Sequence, residues 1–281
     1  MKLSIITVNY NDAEGLERTI KSVISQTFHD YEFIIIDGGS IDGSVDVIKQ
    51  YENHIDYWVS EKDGGIYPGM NKGLRQAKGD YLNFMNGGDC YHSEDVLEKI
   101  FALETDADII TGTHSENGLR NVGKGGVTML DLYKWAIDHQ ASFIRREVAQ
   151  RHPYDEKYRI VSDWKFFIEA LILDNCSFYY TDTIVVDVDM EGISNTNFEL
   201  DKQEREAVLK ELFPERVLKD YQLFASIHPE LLEVVPRISK SQTIMKVLCA
   251  LSRLLVNIKY FFVKDKNNGS ENLFNKDINN T

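Results

Sequence analysis

The chain has 281 residues, enough for one large or two small domains with a sizeable core. Its composition, 43% hydrophobic and 27% charged, is that of an ordinary folded protein. With 31 Lys and Arg against 45 Asp and Glu, the formal net charge is −14, which excludes a general nucleic-acid-binding face but not a local nucleotide pocket. Cys90, Cys176 and Cys249 lie far apart with no CxxC pair, so neither a zinc ribbon nor a disulfide framework is expected. The opening MKLSIITVNYND is too short and too soon polar for a signal peptide, and a reducing, cytoplasmic setting is expected.

Residues 3–8, LSIITV, read as a buried strand. Leu16, Ile20, Val23 and Ile24 then recur at helical spacing within 13–26. YEFIIID at 31–37 predicts a second buried strand. A helix carrying Val45, Val47 and Ile48 follows, with Ser40 or Asp42 as its cap. IDYWVS at 55–60 predicts a third strand, 65–77 a helix and DYLNFM a fourth strand. Strands alternating with helices imply a mainly parallel sheet covered on both faces, with ligands at the carboxyl ends of its strands. Those ends hold Thr7 to Asn9, Asp37 to Ser40, Glu61 to Asp63 and Asn86 to Asp89.

The second half is less regular. ADIITGTH predicts a strand, Asn117-Gly118 a hairpin and MLDLYKWAI a helix. ASFIRREV reads as a strand or buried segment turning into a helix. VSDWKFFIEALIL predicts a helix starting at Ser162 or Asp163, and FYYTDTIVVDVDM another strand. Residues 198–235 read as helical, and 266–281 as a disordered tail. Between them, 236–264 places Ile244, Val247, Leu248, Leu251, Leu254, Leu255, Ile258 and Phe262 at 3–4 spacing, with six basic residues and no acid. It is too interrupted by charge to span a bilayer, and a basic amphipathic helix of this kind suits an anionic membrane surface. The competing reading is a helix packed on the core or on the second subunit of a homo-oligomer.

SIITVNYNDAEGLERTIKSVISQTFHDYEFIIIDGGSIDGS resembles the opening of the family 2 glycosyltransferases, which have the GT-A fold. SEKDGGIYPGMNKGLRQAKGDYLNFMNGGD is similar to the next block of a bacterial branch of that family, and HQASFIRREV and PYDEKYRIVSDWKFF resemble its acceptor-side blocks. The resemblance covers about residues 3–195, and its specificity lies in several ordered motifs rather than any one. It implies a GT-A, Rossmann-like, mainly parallel α/β sheet with a C-terminal helical extension. Residues 1–100 would form the nucleotide-sugar half, 101–215 the acceptor half and 216–265 the extension.

The resemblance also assigns roles. Asp37 would accept hydrogen bonds from the uracil or ribose of the donor, with Thr7 and Asn9 bordering the base, although DGGSIDG by itself reads as turn chemistry with a helix cap. Asp63 and Asn71 would flank the nucleotide-sugar. Lys72 would supply charge toward the diphosphate where relatives carry an Arg at the position of Met70; a solvated lysine is the competing reading. Where the family usually has two acids for a metal, this chain has Asn86-Gly87-Gly88-Asp89, leaving Asp89 as the charged ligand for Mn²⁺ or Mg²⁺ and Asn86 as a neutral one. A glycine turn with a capping Asp explains the same residues. His139 and Gln140 would border the donor sugar or diphosphate, and Asp163, at a helix start, would be the catalytic base. Tyr67 and Trp164 either stack on sugar rings or pack in the core.

The implied activity is inverting transfer of a hexosyl or N-acetylhexosaminyl group from a nucleotide-sugar, UDP-linked first, to a glycan or lipid-linked acceptor in cell-surface polysaccharide assembly. The enzyme would be cytoplasmic and peripheral on the inner membrane. A dinucleotide-binding oxidoreductase would need Gly-x-Gly-x-x-Gly after the first strand, where this chain has VNYNDAEG. A non-catalytic protein of the same fold in a membrane complex is supported only by the reduced acidic motif.

Overall fold

The computed structural model describes residues 1–116, 119–121, 127–188, 197–227, 234 and 240–253. The chain divides into two compact units, Met1–Gln222 and Leu223–Thr281. In the first, β1 (Leu3–Asn9), β2 (Tyr31–Asp37), β3 (Tyr57–Ser60) and β4 (Tyr81–Phe84) alternate with α1 (Ala13–Ile24), α2 (Ser44–Gln50) and α3 (Ile66–Gln76). These strands lie in the order β3-β2-β1-β4 and are all parallel. The sheet continues through β8 (Ser142–Arg145), β6 (Ile109–Glu116), β9 (Phe178–Asp187) and the short β5 (Cys90–Tyr91), with β7 (Leu119–Asn121) beside β6. β8 runs antiparallel to both β4 and β6, so the two halves expected on either side of residue 100 share one sheet.

Alternation along each central strand explains the two-sided cover. Ile6, Val8, Ile34, Ile36, Leu82 and Phe84 join a core with α3, α6 (Arg146–Arg151) and α7 (Ser162–Ile168). Ile5, Phe33, Ile35, Tyr81 and Met85 point the other way, to α1, α2 and α4 (Val96–Phe101). A strand buried on both faces is mostly apolar on both, and its few polar residues are satisfied internally, as Ser4 donates to Glu32 (2.6 Å) and Asn83 to Gln140 O (2.8 Å). β1 and β4 are neighbours, yet the chain leaves β1 through α1 on one face and reaches β4 through α3 on the other; ligands of such sheets bind at the carboxyl ends of strands paired in this way.

α3 presses on β1 because Gly69 and Gly73 present no side chain there. A Cβ at Gly69 would lie 2.8 Å from Val8 Cγ1, and one at Gly73 would collide with Ile6 Cγ2. Across the carboxyl edge, Asn9, Asp37 and Ser60 are register partners on three parallel strands. Asp37 is fully buried and its carboxylate accepts from Asn9 Nδ2 (3.0 Å), Ser60 Oγ (2.5 Å), Ser40 Oγ (2.6 Å), Ser40 N (2.9 Å) and Gly39 N (3.2 Å).

Several expected elements differ in detail. α2 starts at Gly43, not on Ser40 or Asp42; Ser40 serves Asp37, and Asp42 accepts from Ser44 N (3.1 Å) and Ala13 N (2.8 Å). α5 (Met129–Lys134) stops before Trp135, whose backbone is extended. α7 starts at Ser162 as expected, but after Ile168 it widens into a π-helical turn, Glu169–Leu173. Its start is held from outside. Glu204 of α8 (Phe198–Leu212) accepts the backbone N–H groups of Arg159 (2.9 Å), Ile160 (2.9 Å) and Val161 (3.3 Å). The Asn117-Gly118 turn and the tail at 266–281 lie outside the described residues.

In the second unit, residues 242–253 form a helix begun by Ser241, whose Oγ accepts Ile244 N at 3.4 Å. Ile244, Val247, Leu248 and Leu251 are each between 38% and 54% exposed. Among the described residues no helix is long and apolar enough to cross a membrane.

Two outcomes follow. Gly73→Ala forces α3 off β1 and lowers stability by about 1–3 kcal/mol, seen as a lower denaturation midpoint at unchanged slope. Burial raises the pKa of Asp37, but the hydrogen bonds from Ser40, Ser60 and Asn9 outweigh it and hold the carboxyl below its ordinary value. Its ionised form therefore stabilises the fold above the unfolded-state value of about 3.9, and this contribution is lost as pH falls through the folded value. The stability gap between wild type and Asp37→Asn, followed by urea denaturation, is expected to be largest near neutrality and to close in acid.

Candidate active site

The carboxyl ends of β1 and β4 carry two groups of side chains. In the first, Tyr10 follows β1 with its ring 68% exposed. A Cβ at Gly38 would lie 3.2 Å from Tyr10 Cδ2 and 3.3 Å from Asp63 Oδ1, so ring and carboxylate flank bare backbone. Asp63 is half-buried, and its Oδ1 accepts Gly65 N at 3.0 Å ahead of α3. Such a wall suits a flat, hydrogen-bonding ring: an aromatic face, a carboxylate and open peptide groups between them.

The other group begins at the turn after β4. Thr19 of α1 holds this turn, its Oγ1 lying 2.7 Å from Asp89 O and accepting Gly88 N at 3.0 Å. Gly88 has φ 98°, a left-handed conformation that glycine adopts at least cost. Asp89 is 4% exposed. Asn86 Oδ1 and Asn9 Oδ1 are buried oxygens without a hydrogen-bond partner among the described residues. Among those residues no group of three His, Cys, Asp or Glu side chains converges to hold a metal.

From Asn86 a chain of contacts runs inward. Asn86 Nδ2 lies 3.1 Å from His139 Nε2, and His139 Nδ1 lies 2.9 Å from Asp163 Oδ2. Asp163 Oδ1 is 2.8 Å from Tyr67 Oη, which is also 2.5 Å from Ile160 O. His139 sits in a tight turn before β8, where Ser142 N donates to His139 O at 3.1 Å. Burial alone would lower the His139 pKa. The hydrogen bond and charge of Asp163, with Asp89 and Asp138 behind them, prevail and raise it. Burial raises Asp163, but the same contact with His139 and the Tyr67 hydroxyl hold it below the ordinary carboxylate value. The two side chains form an ion pair when His139 is protonated, and solvent reaches them only at their edges, 11% and 17% exposed.

The expected site residues thus divide. Asn86, His139 and Asp163 are joined in one chain of contacts with Asp89 acting on His139, Asn9 binds Asp37, and Asp63 faces Gly38. Asp37 does not present a free acceptor: five donors of the chain itself saturate its lone pairs, so it shapes the wall. Thr7 is fully buried and donates to Met85 O at 2.7 Å, tying β1 to the end of β4. Asn71 braces the 154–156 segment, donating to Tyr154 O (2.8 Å) and Glu156 Oε1 (3.0 Å) and accepting Tyr154 N (2.9 Å). Lys72 pairs with Glu61 at 2.9 Å. Gln140 contributes its carbonyl, which accepts from Asn83 Nδ2 at 2.8 Å. Tyr67 and Trp164 are 4% and 1% exposed, too deep to stack on a sugar.

Sequence reasoning passed over Tyr10, Ser60 and Glu204. Ser60 was legible as the last residue of a strand pairing with the one that ends in Asp37. Glu204 carried no local signal, because its partners lie more than 40 residues away.

The family model for glycosyl transferase family 2 matches residues 4–152. An uncharacterised glycosyltransferase of Mycobacterium tuberculosis is 34% identical over 187 residues, 61% of this chain and 69% of that protein. A PGL/p-HBAD biosynthesis glycosyltransferase of Mycobacterium bovis is 30% identical over 203 residues, 69% and 79% of the two chains. Among solved structures, Staphylococcus aureus TarS 1-349 in complex with UDP-GlcNAc superposes with a TM-score of 0.63 at 19% identity, covering 81% of this chain and 68% of TarS. The mannosyltransferase PcManGT of Pyrobaculum calidifontis, in complex with GDP-Man and Mn²⁺, gives 0.59 at 14% identity over 98% and 88%. These structures share the fold, a mixed sheet between helices as in the GT-A glycosyltransferases. With the motifs, the sheet and the match to more than half its length in agreement, this chain belongs to glycosyl transferase family 2.

Proposed function

We propose that the chain is an inverting glycosyltransferase that moves a hexosyl or N-acetylhexosaminyl group from a UDP-sugar to a hydroxyl of a glycan or lipid-linked acceptor. The observation that carries this reading is the position of His139, bonded on one side to Asn86 of the turn that ends in Asp89 and on the other to Asp163. One imidazole thus links the side that receives a diphosphate to the side that holds a base. The UDP-GlcNAc complex of TarS and the GDP-Man complex of PcManGT support a nucleotide-sugar donor.

In this reading the base of the nucleotide stacks on Tyr10, with Asp63 accepting from ribose or base. Asn71 and Lys72 act from behind this wall, and Thr7, Asn9 and Asp37 keep its shape. The acceptor oxygen attacks the anomeric carbon, and the bond from that carbon to the diphosphate breaks with its electron pair leaving on phosphate oxygen. Asp163 takes the acceptor's proton. Its ionised state at neutral pH suits this task. The His139 cation faces the developing charge, and Gln140 fixes the turn that presents it.

Mg²⁺ or Mn²⁺ fits Asp89 as the charged ligand, and the Asn86 carbonyl would add a neutral one while its N–H side faces a neutral His139; a protonated His139 would take that carbonyl for itself. These are hard oxygen donors, and such ions accept one or two carboxylates while waters and phosphates complete the shell. When bound, the ion offsets charge on the departing diphosphate.

We place the acceptor at an anionic membrane surface on the cytoplasmic face. The 236–264 segment carries six basic residues and no acid in a chain of net charge −14, and part of it is a helix with exposed Ile244, Val247, Leu248 and Leu251. The names of relatives, PGL/p-HBAD biosynthesis glycosyltransferase and cholesterol galactosyltransferase, agree with a lipid-linked acceptor.

Asp163→Ala is expected to cut turnover of UDP-GlcNAc by about 10²- to 10⁴-fold while calorimetric UDP binding stays intact; wild-type turnover refutes the base. Tyr10→Ala should weaken UDP by about 1–3 kcal/mol, and Asp89→Ala should abolish any gain in UDP affinity from Mn²⁺. A raised His139 pKa keeps the cation above its ordinary 6.5. UDP affinity should therefore fall as pH rises through the shifted value, and this step should vanish in His139→Gln. Vesicles rich in phosphatidylglycerol should co-sediment the protein in a salt-sensitive way that Lys246→Glu weakens; equal binding to neutral vesicles excludes the surface reading.

A further inference from the structure

The contacts around Asp163 can be counted in protons. His139 Nδ1–H donates to Oδ2 whether the ring is neutral or charged; only Nε2 changes, and the Asn86 amide follows by presenting N–H or C=O. Tyr67 has one hydroxyl proton but two acceptors, Asp163 Oδ1 at 2.8 Å and Ile160 O at 2.5 Å. Tyr67 is 4% exposed, so water does not supply the missing donor freely. With Asp163 ionised, this corner is one proton short. With a proton on Oδ1, Asp163 donates to Tyr67 Oη, Tyr67 donates to Ile160 O, and every contact is matched.

We propose that Tyr67 is a positioning residue that completes the hydrogen-bond network around Asp163 once that base has taken the acceptor's proton. The idea rests on the base reading given above. The proton leaves the acceptor hydroxyl as its oxygen bonds to the anomeric carbon. It comes to rest between Oδ1 and Tyr67 Oη, while the electron pair of the broken bond departs with the diphosphate. No group is oxidised or reduced. The other groups facing the pair are His139 on Oδ2, the backbone N–H groups of Trp164 on the Asp163 carboxylate and of Asp163 on Tyr67, the buried Tyr154 phenol whose pKa Asp163 raises, and Asp89 and Asp138 acting on His139. The Ile160 carbonyl that anchors Tyr67 belongs to the segment whose N–H groups Glu204 holds, so the anchor is itself fixed.

The count has a consequence that needs no substrate. Asparagine at 163 places a permanent N–H where the protonated acid would donate, and keeps an oxygen for His139. Full-length Asp163→Asn should therefore melt at or above the wild-type temperature near neutral pH, as removal of a functional shortage often allows. Asp163→Ala should melt several degrees below it. The gain from Asp163→Asn should disappear in a Tyr67→Phe background, a non-additive cycle. Asp163→Asn melting as low as Asp163→Ala, or shifting both backgrounds equally, overturns the proposal. Should Tyr67→Phe not fold, the order of Asn, wild type and Ala at position 163 decides alone. Turnover of UDP-GlcNAc separates the two ideas. Wild-type turnover in Asp163→Asn removes the base and this proposal together. Lost turnover with an additive thermal cycle removes this proposal only.

Discussion

The site depends on one topological constraint: β1 and β4 lie side by side while the helix that leaves β1 and the helix that leads into β4 cover opposite faces. Helices covering a sheet on both sides cannot also cover the seam where their directions part. The peptide groups and side chains at that seam still need hydrogen bonds, and the structure meets the need from several elements. Thr7 reaches Met85, Thr19 reaches the turn at 86–89, and Ser40 and Ser60 converge on Asp37. What is left unmatched is informative: buried Oδ1 atoms at Asn9 and Asn86, and one hydroxyl between two acceptors at Tyr67. In a folded interior such vacancies cost free energy, and they concentrate where a ligand or a proton is meant to arrive.

Electrostatics divides labour along the same seam. Asp37 and Asp163 are both buried carboxylates held below their ordinary range, for different reasons. Asp37 is kept ionised by neutral donors of its own loop and neighbouring strands, which leaves it no free lone pair. Asp163 is kept ionised chiefly by a single imidazole and a phenol, partners that can rearrange when a proton is added. Identical side chains therefore differ: one is a fixed brace, and the other is the proton acceptor of the function proposed above. The same pairing raises the proton affinity of His139.

The fold was largely legible in the sequence because period-2 apolar strands and period-3.6 helices are local signals. Leu3 to Asn9 and Tyr31 to Asp37 place apolar residues such as Ile5 with Ile6 and Phe33 to Ile36 side by side in sequence, which two-sided burial explains. Boundaries such as α5 ending before Trp135, and elements as short as Cys90–Tyr91, depend on partners rather than on pattern. The site was legible in its members more than in their roles. Asp37, Asn71 and Tyr67 stood out by residue type and place, but what each side chain touches is set by segments far along the chain. Asn71 meets Tyr154, and Tyr67 meets Asp163, across separations of 83 and 96 residues. No local pattern encodes such distances.

α3 brings two tasks onto one rigid body. Its start follows Asp63 and Gly65, its first turn carries Tyr67 against Asp163, and Gly69 and Gly73 seat it closely on β1. On the function proposed above, the residue that meets the donor and the residue that braces the base then belong to one helix, so donor occupancy and the proton affinity of the base would be coupled through it.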